Sequence, residues 1–510
     1  IVHILDLLKR HGITSVVLTL QYMADVVQDY LWNICEETNW VVPAHESMSI
    51  DLFAAETGFM LAEALQLLGD VLDQEVQNRV REEVERRIFT PFFRDYDRFA
   101  WARGPHNWNG VCNSSTAATF LLLQPGSDRT YEALEMALGG LAGFLKSAFE
   151  EDGTSTEGVG YWHYGLINFV ALSEMLRARS RGAVDLLAAP KLKRVAAYPA
   201  KLLLSGSRFA AFSDCPEEVL FNPGILARLA LRTGEESLLD LLAPPAHIGH
   251  DWRLPMMLRN LLWWDGRRPT EARLFDAVLE AGGVARLVSR TPGGVPVVLA
   301  VKAGHNAEHH NQNDVGSFVY HVGDETLLVD PGRGLYTRFY FGPQRYHNVF
   351  AGSYGHSVPR VNGAEQAAGR EHAGKILSVV SDEEEKRVEI EFARAYPVPA
   401  LQSARRRWIL KADGTLVLED AFQFAGAAGE VEEAFVTWGE VEVEGGTARV
   451  RSHSRAVALT VVAPAGVCLE VERLEEASRA NKKPGVLKRI RCALPAGVSV
   501  TARFEVKVAE

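Results

Sequence analysis

The spacing of apolar residues changes once along this chain, near Val284, and that change constrains the fold more than any other feature. Before it, apolar residues recur at three- and four-residue intervals, as in MADVVQDYLWNICEE, DLFAAETGFMLAEALQLLGDVL and RTYEALEMALGGLAGFLKSAFEEDG. Such spacing puts them on one face of a helix. LINFVALSEMLRARS and EEVLFNPGILARLALRTG continue the pattern, with Gly and Pro between segments as stop signals. The reading gives roughly ten to twelve helices, too many for a simple bundle, and predicts a helical toroid or solenoid. After Val284 the texture becomes short runs of Val, Leu, Phe and Tyr bounded by Gly, Asp and Asn: GVPVVLAVKAG, GSFVYHVGDETLLVD, RVEIEFARAY, RRWILKADGTLVLEDAF and GVSVTARFEVKV. Alternation with period two and frequent turns predicts an antiparallel β-sandwich. Asp413-Gly414 is the turn of an expected hairpin. The expected domains are a helical one over 1–285 and a β-sandwich over 286–510.

A length of 510 residues exceeds what one ordinary core accommodates, in keeping with more than one domain. A net charge of −11 gives no reason to expect nucleic acid or an anionic membrane as partner. It leaves room for a locally basic cleft that takes an acidic substrate, and Arg333, Arg338 and Arg345 cluster in sequence. No run of about 20 apolar residues suggests membrane insertion. The five cysteines are scattered, odd in number and without a CxxC pair, which disfavours a disulfide framework or a thiolate zinc site. The first residues, IVHILDLLKRHG, read as a helix with no secretory leader before it, and the sequence assigns neither a compartment nor an oligomeric state.

Polar chemistry concentrates in HHNQNDVGSFVYHVGDETLLVD, from His309 to Asp330, where imidazoles and carboxylates flank an expected strand. Groups that move protons or hold a metal gain precision from such a rigid support. A lone histidine beside a strand is usually an ordinary hydrogen-bonded residue; the density of this segment argues otherwise. Two further segments interrupt the helical pattern. GPHNWNGVCNSS sets Asn107, Asn109 and Asn113 around Trp108: amides that stay neutral and donate to a carboxylate, beside an indole that can stack on a sugar. As structure alone it is a capping turn. DGTSTEGVGYWHYG places Tyr161 and Tyr164 on one helical face, next to Trp162 and after Glu157; as structure alone it is a core stripe. NWVVPAHE, with Trp40 and His45, is a weaker third.

Four motifs in order, NWNGVCN, EGVGYWHYG, HNQNDVGSF followed by LLVDPG, and GHSVPRVNGAEQ, resemble those of the heparinase II/III-like polysaccharide lyases. The resemblance implies an α/α toroid joined to an antiparallel β-sandwich, with the active site in the cleft between them. It also implies action on heparin, heparan sulfate, other glycosaminoglycans or alginate. By resemblance Asn113 neutralises the uronate carboxylate with Asn107 or Asn109 assisting, Tyr161 or the adjacent Tyr164 is the acid/base, and His310 is the catalytic histidine. Trp108, Trp162, Arg338 and Arg345 are the substrate-binding candidates. The family often carries a metal, commonly zinc. Its ligands here would be Asp330 and His356, with His347 as rival, and Gln312 where the family has histidine. Glutamine is a poor zinc ligand, so manganese or calcium, or no metal, also fits.

The chemistry suits these residue types. Breaking the C4–O bond of a uronate by β-elimination requires removal of the C5 proton while neutral donors stabilise charge on the neighbouring carboxylate. A tyrosine or histidine takes the proton, and a tyrosine returns one to the leaving oxygen. No organic cofactor is needed. An inverting glycoside hydrolase would need paired carboxylates, for which Glu157, Asp152 and Asp314 are the candidates. A non-catalytic glycan-binding protein would not need the tyrosine and histidine.

Overall fold

The computed structural model describes residues 24–242, 251, 253–266, 272–383 and 385–509. The helix read over IVHILDLLKRHG lies outside the described residues. Helices come first and antiparallel sheets follow, as the change of periodicity predicts. The chain divides into two compact units. One consists of Ile1–Glu150, Tyr161–Ala197 and Leu220–Glu271, the other of Glu151–Gly160, Tyr198–Val219 and Ala272–Glu510. Two short excursions from the helical half therefore belong with the β-rich unit, which contiguous domains drawn from sequence do not include.

In the first unit, helix Leu52–Leu68 begins at Asp51, whose carboxylate accepts the Ala54 N–H, and Asp128–Ser147 begins at Ser127, which accepts from Thr130. Each side chain satisfies one of the orphan donors of a helix start. Asn107–Leu123 is buried along nearly its whole length, including its polar residues. Helix Asp128–Ser147 meets it through Gly140, where an added Cβ would lie 2.5 Å from Asn113 Nδ2. The stretch Leu52–Val71 is apolar and long enough to cross a membrane, which the sequence reading did not mark; 67% of its apolar window is buried inside the protein, as in a core helix.

The second unit holds three larger antiparallel sheets. Five strands run in the order Ala277–Leu279, Val284–Arg290, Pro296–Lys302, Phe318–Val322, Glu325–Leu328. A nine-stranded sheet has Leu401–Lys411 and Leu416–Phe424 near its centre, joined at the expected Asp413-Gly414 turn, with Gly414 at φ +83°. Asp413 accepts the Thr415 N–H there. The third sheet, of four strands, includes Val431–Thr437. Alternate residues, among them Leu299, Phe318, Trp408, Leu418, Phe435 and Phe504, form one continuous apolar cluster. Within it Arg406 is fully buried, donating to Asp420, Glu433 and the carbonyls of Gly316 and Ser357.

The excursion Tyr198–Val219 is tied to the five-stranded sheet. Arg286 donates to the carbonyls of Ala200 and Leu203, and His321 Nε2 lies 2.9 Å from Ser205 Oγ. The excursion Glu151–Gly160 is tied by Asp152, which accepts the N–H groups of Ala281 and Gly282. These anchors bring Asp214 and Glu157 to the histidine loop.

Candidate active site

His310 stands on the loop between strands Gly304–Asn306 and Phe318–Val322, with φ +57°. Left-handed backbone is uncommon outside glycine and persists where surrounding contacts over-determine it. Those contacts come from the motif itself and from GHSVPRVNGAEQ. Gln366 accepts from Asn306 and from the Val315 N–H, and Asn313 donates to the Gln366 carbonyl. Asn311 bridges Asn313 and Tyr346. The asparagines of the motif thus brace the loop that presents the imidazole.

His310 Nδ1 lies 3.0 Å from Asp214 Oδ2, and its Nε2 lies 3.5 Å from Glu157 Oε1. Tyr336 stacks beside the ring, its hydroxyl 3.1 Å from the same Asp214 oxygen. Asp214 also accepts from Tyr340, Arg345 and Gln312. Burial alone would raise its carboxyl, but the His310 hydrogen bond and the Arg345 charge outweigh burial and hold it below the usual carboxylate range. Asp214 was not singled out from the sequence. FSDCPEEV has no periodicity to mark it, and its partners are distant in the chain.

Several side chains named from sequence are committed to internal bonds. In the first unit Asn113 donates to the Ala102 carbonyl and Asn109, and accepts from Tyr96. Asn109 donates to the carbonyls of Gly104 and Gly140, and both residues are fully buried. Tyr164 donates to Glu56, which is also held by Arg253 and Asn168. Burial and the Glu56 charge push its phenol well above the usual range, which suits a structural donor better than an acid/base. Trp162 is a core residue whose indole N–H donates to the Val195 carbonyl. Trp108 is half-buried and meets the edge of His45, which pairs with Asp51. Asn107 is the buried first residue of its helix, and Tyr161 is half-buried in the first turn of Val159–Arg179.

In the second unit Arg345 is spent on Asp214 and on the carbonyls of Asn311 and Tyr340, so it braces the site rather than facing a ligand. Arg338 is exposed on the same loop as the exposed Phe339 and Phe341, and Phe341 meets the His310 ring edge-on. His347 is exposed. Gln312 is buried, with its amide nitrogen turned to Asp214.

Asp314, Asp330 and His356, all buried, each offer a ligand atom within 4.8 Å of the others. The sequence reading had named two of the three; Asp314 adds a second carboxylate. His356 Nδ1 lies 3.5 Å from Asp330 Oδ2, while Asp314 Oδ2 and His356 Nε2 have no hydrogen-bond partner among the described residues. Buried polar atoms left in this way cost free energy unless something pairs them. Two carboxylates and an imidazole therefore fit a divalent cation. Lys302 takes the other Asp314 oxygen at 2.7 Å and offsets part of the negative charge. Burial favours a neutral His356, but Asp330 and then Asp314 outweigh it and raise its affinity for a proton.

A helical unit is followed by an antiparallel β-unit that carries a histidine loop held by a buried aspartate. Residues 274–496 match the family Heparinase II/III-like, C-terminal. Across 95% of this chain and 74% of the other, the fold is similar to the crystal structure of heparinase III, with TM-score 0.70 and 13% identity. A heparan sulfate lyase from Pedobacter heparinus aligns over 100% of this chain and 75% of its own, with TM-score 0.64 and 11% identity. A further heparinase III gene product aligns over 99% and 91%, with TM-score 0.61 and 12% identity. At these identities the likeness concerns the fold. No curated protein sequence matches the chain.

Proposed function

We propose that this protein is a polysaccharide lyase that cleaves uronate-containing acidic polysaccharides by β-elimination, with glycosaminoglycans favoured over alginate as substrate. The observation that carries the reading is the immobilised His310, held at Nδ1 by Asp214 and placed with Nε2 toward Glu157 of the EGVGY segment. That segment runs directly into Tyr161. A histidine with one nitrogen anchored and the other presented is suited to moving a proton. His310 and Tyr161 are the acid/base pair in this reading. Asn107, the first residue of helix Asn107–Leu123, is the amide assigned to the uronate carboxylate in this reading. Its position at a helix start also favours a negative partner. Phe341 offers a sugar-stacking face beside His310, and exposed Arg338 and Phe339 precede it on the same loop.

A hydrolase with paired carboxylates is less well supported. Of its candidates Glu157, Asp152 and Asp314, Asp152 caps backbone N–H groups and Asp314 pairs with Lys302, which commits two of the three. A bound divalent ion held by Asp314, Asp330 and His356 would supply charge compensation that braces the loop beneath His310.

The test is a screen of purified protein over heparin, heparan sulfate, chondroitin sulfate, hyaluronan and alginate, read by ultraviolet absorbance. Elimination leaves an absorbing unsaturated uronate; hydrolysis leaves none. Reducing ends released without that absorbance, or no product from any polymer, would reject the reading.

A further inference from the structure

We propose that Asp214 is the positioning residue of this site: it holds the neutral His310 ring with the proton on Nδ1, which puts the basic lone pair on Nε2, the nitrogen on the Glu157 side. The kinetic consequence rests on the lyase reading; the state of the imidazole does not.

Five donors converge on Asp214, which is 1% exposed. Oδ1 receives the Tyr340 hydroxyl at 2.7 Å and Gln312 Nε2 at 3.3 Å. Oδ2 receives Arg345 Nη2 at 2.8 Å and the Tyr336 hydroxyl at 3.1 Å, with His310 Nδ1 at 3.0 Å. A carboxylate so surrounded is ionised and is an acceptor only. An unprotonated Nδ1 at that distance would oppose lone pair to lone pair in a buried place, where repulsion is poorly screened. Nδ1 therefore donates.

Tyr336 also lies within reach of Nδ1, at 3.2 Å, and its proton is directed to the same carboxylate oxygen. It reinforces the arrangement rather than competing with it. Other charged or titratable groups near the ring include Glu157 on the Nε2 side, the neighbouring His309, Arg345 beyond Asp214, and Arg333, whose guanidinium lies 4.4 Å over the Tyr336 ring. Glu157 Oε1 lies 3.5 Å from Nε2 and Asp214 Oδ2 3.0 Å from Nδ1, so a lone pair faces the stronger carboxylate repulsion at Nδ1, and a single proton on the neutral ring belongs there. The second nitrogen of a histidine is set by the bond the first one makes. An imidazole in water places its proton mostly on Nε2, so this site reverses the default.

The left-handed backbone at His310 is held by surrounding contacts. Side-chain anchoring by Asp214 is one of the contacts that hold an otherwise sparsely populated conformation. Asp214 itself follows Ser213, also at positive φ, +64°, so both partners are presented from turns that tertiary contacts must maintain.

The experiment is ¹⁵N NMR of the full chain labelled at histidine, with the His310 signals identified by their loss in His310→Gln. In the wild type the neutral ring is expected to carry its proton on Nδ1. In Asp214→Asn it is expected to shift to the Nε2-protonated form, with kcat reduced about a hundredfold or more and KM within about threefold. Asp214→Glu, which restores a carboxylate, is expected to recover part of kcat. A wild-type His310 protonated on Nε2 overturns the proposal without any variant needing to fold, and so does an Asp214→Asn protein that keeps wild-type kcat. If wild-type protein gives no unsaturated product from any polymer, the proposed function fails, while the spectrum still decides the state of His310.

Discussion

His310 Nδ1 and Asp214 Oδ2 lie 3.0 Å apart, although 96 residues separate them in sequence. The imidazole is held by an acidic residue from an excursion of the helical half that folds with the β-rich unit. Truncating the ring removes the proposed proton carrier and leaves the Asp214 cluster otherwise intact. His310→Ala is expected to lower kcat by about a hundredfold or more, measured as the initial rise in ultraviolet absorbance. Turnover within a few-fold of wild type would remove His310 from the chemistry.

Tyr161→Phe keeps the aromatic ring and deletes the hydroxyl. Turnover is expected to fall by about a hundredfold while KM changes little, because a proton donor used in the transition state is lost and ground-state binding is not. Tyr164→Phe serves as the comparison. Its hydroxyl donates to Glu56 inside the first unit, so stability rather than kcat should respond, and a larger kcat loss in Tyr164→Phe than in Tyr161→Phe would exchange the two roles.

The Asp314, Asp330 and His356 group gives a prediction for metal removal. Elemental analysis is expected to find a divalent ion, and chelation to lower the melting temperature more than the initial rate, since elimination consumes no activated water. Asp330→Asn should reduce the bound metal. A chelator that abolishes activity at unchanged melting temperature would make the ion catalytic instead.

Two histidines link stability to pH. Burial lowers His163 from 6.5 to about 4, against the pull of its Asn222 hydrogen bond, and burial lowers His321 from 6.5 to about 4 as well. The unfolded chain then binds protons at higher pH than the folded one. The stability these residues contribute is present above pH 6.5 and is lost as pH falls toward about 4. Urea titrations at pH 7 and pH 5 should show this loss, and His163→Gln with His321→Gln should reduce it. An unchanged pH slope in the double variant would assign the loss to other groups.

Gly140→Ala tests the packing of the asparagine helix. An added Cβ would lie 2.4 Å from the Ala102 carbonyl oxygen and 2.5 Å from Asn113 Nδ2, so a neighbour must move. A destabilisation of about 1–3 kcal/mol is expected from denaturant unfolding. Gly139→Ala, where nothing lies within 4 Å, should be neutral or stabilising through helix propensity.

Residue spacing alone determined the helical-then-β order and the turn at Asp413-Gly414, and marked the His309–Asp330 segment as a candidate, because each is written in residues close together in sequence. His310, Asp330 and His356 entered as candidates through the family resemblance that their local motifs carry. The fates of Asn113, Trp162, Tyr164 and Arg345 were not. An asparagine that neutralises a substrate carboxylate and one that bridges Ala102 and Asn109 are the same residue in the chain; only the packed structure supplies the partners that distinguish them. Asp214 and Asp314 were decided by tertiary structure in the same sense. A carboxylate becomes a histidine anchor or a metal-ligand candidate through burial and through groups brought from distant positions, and neither burial nor those distances is encoded in local periodicity.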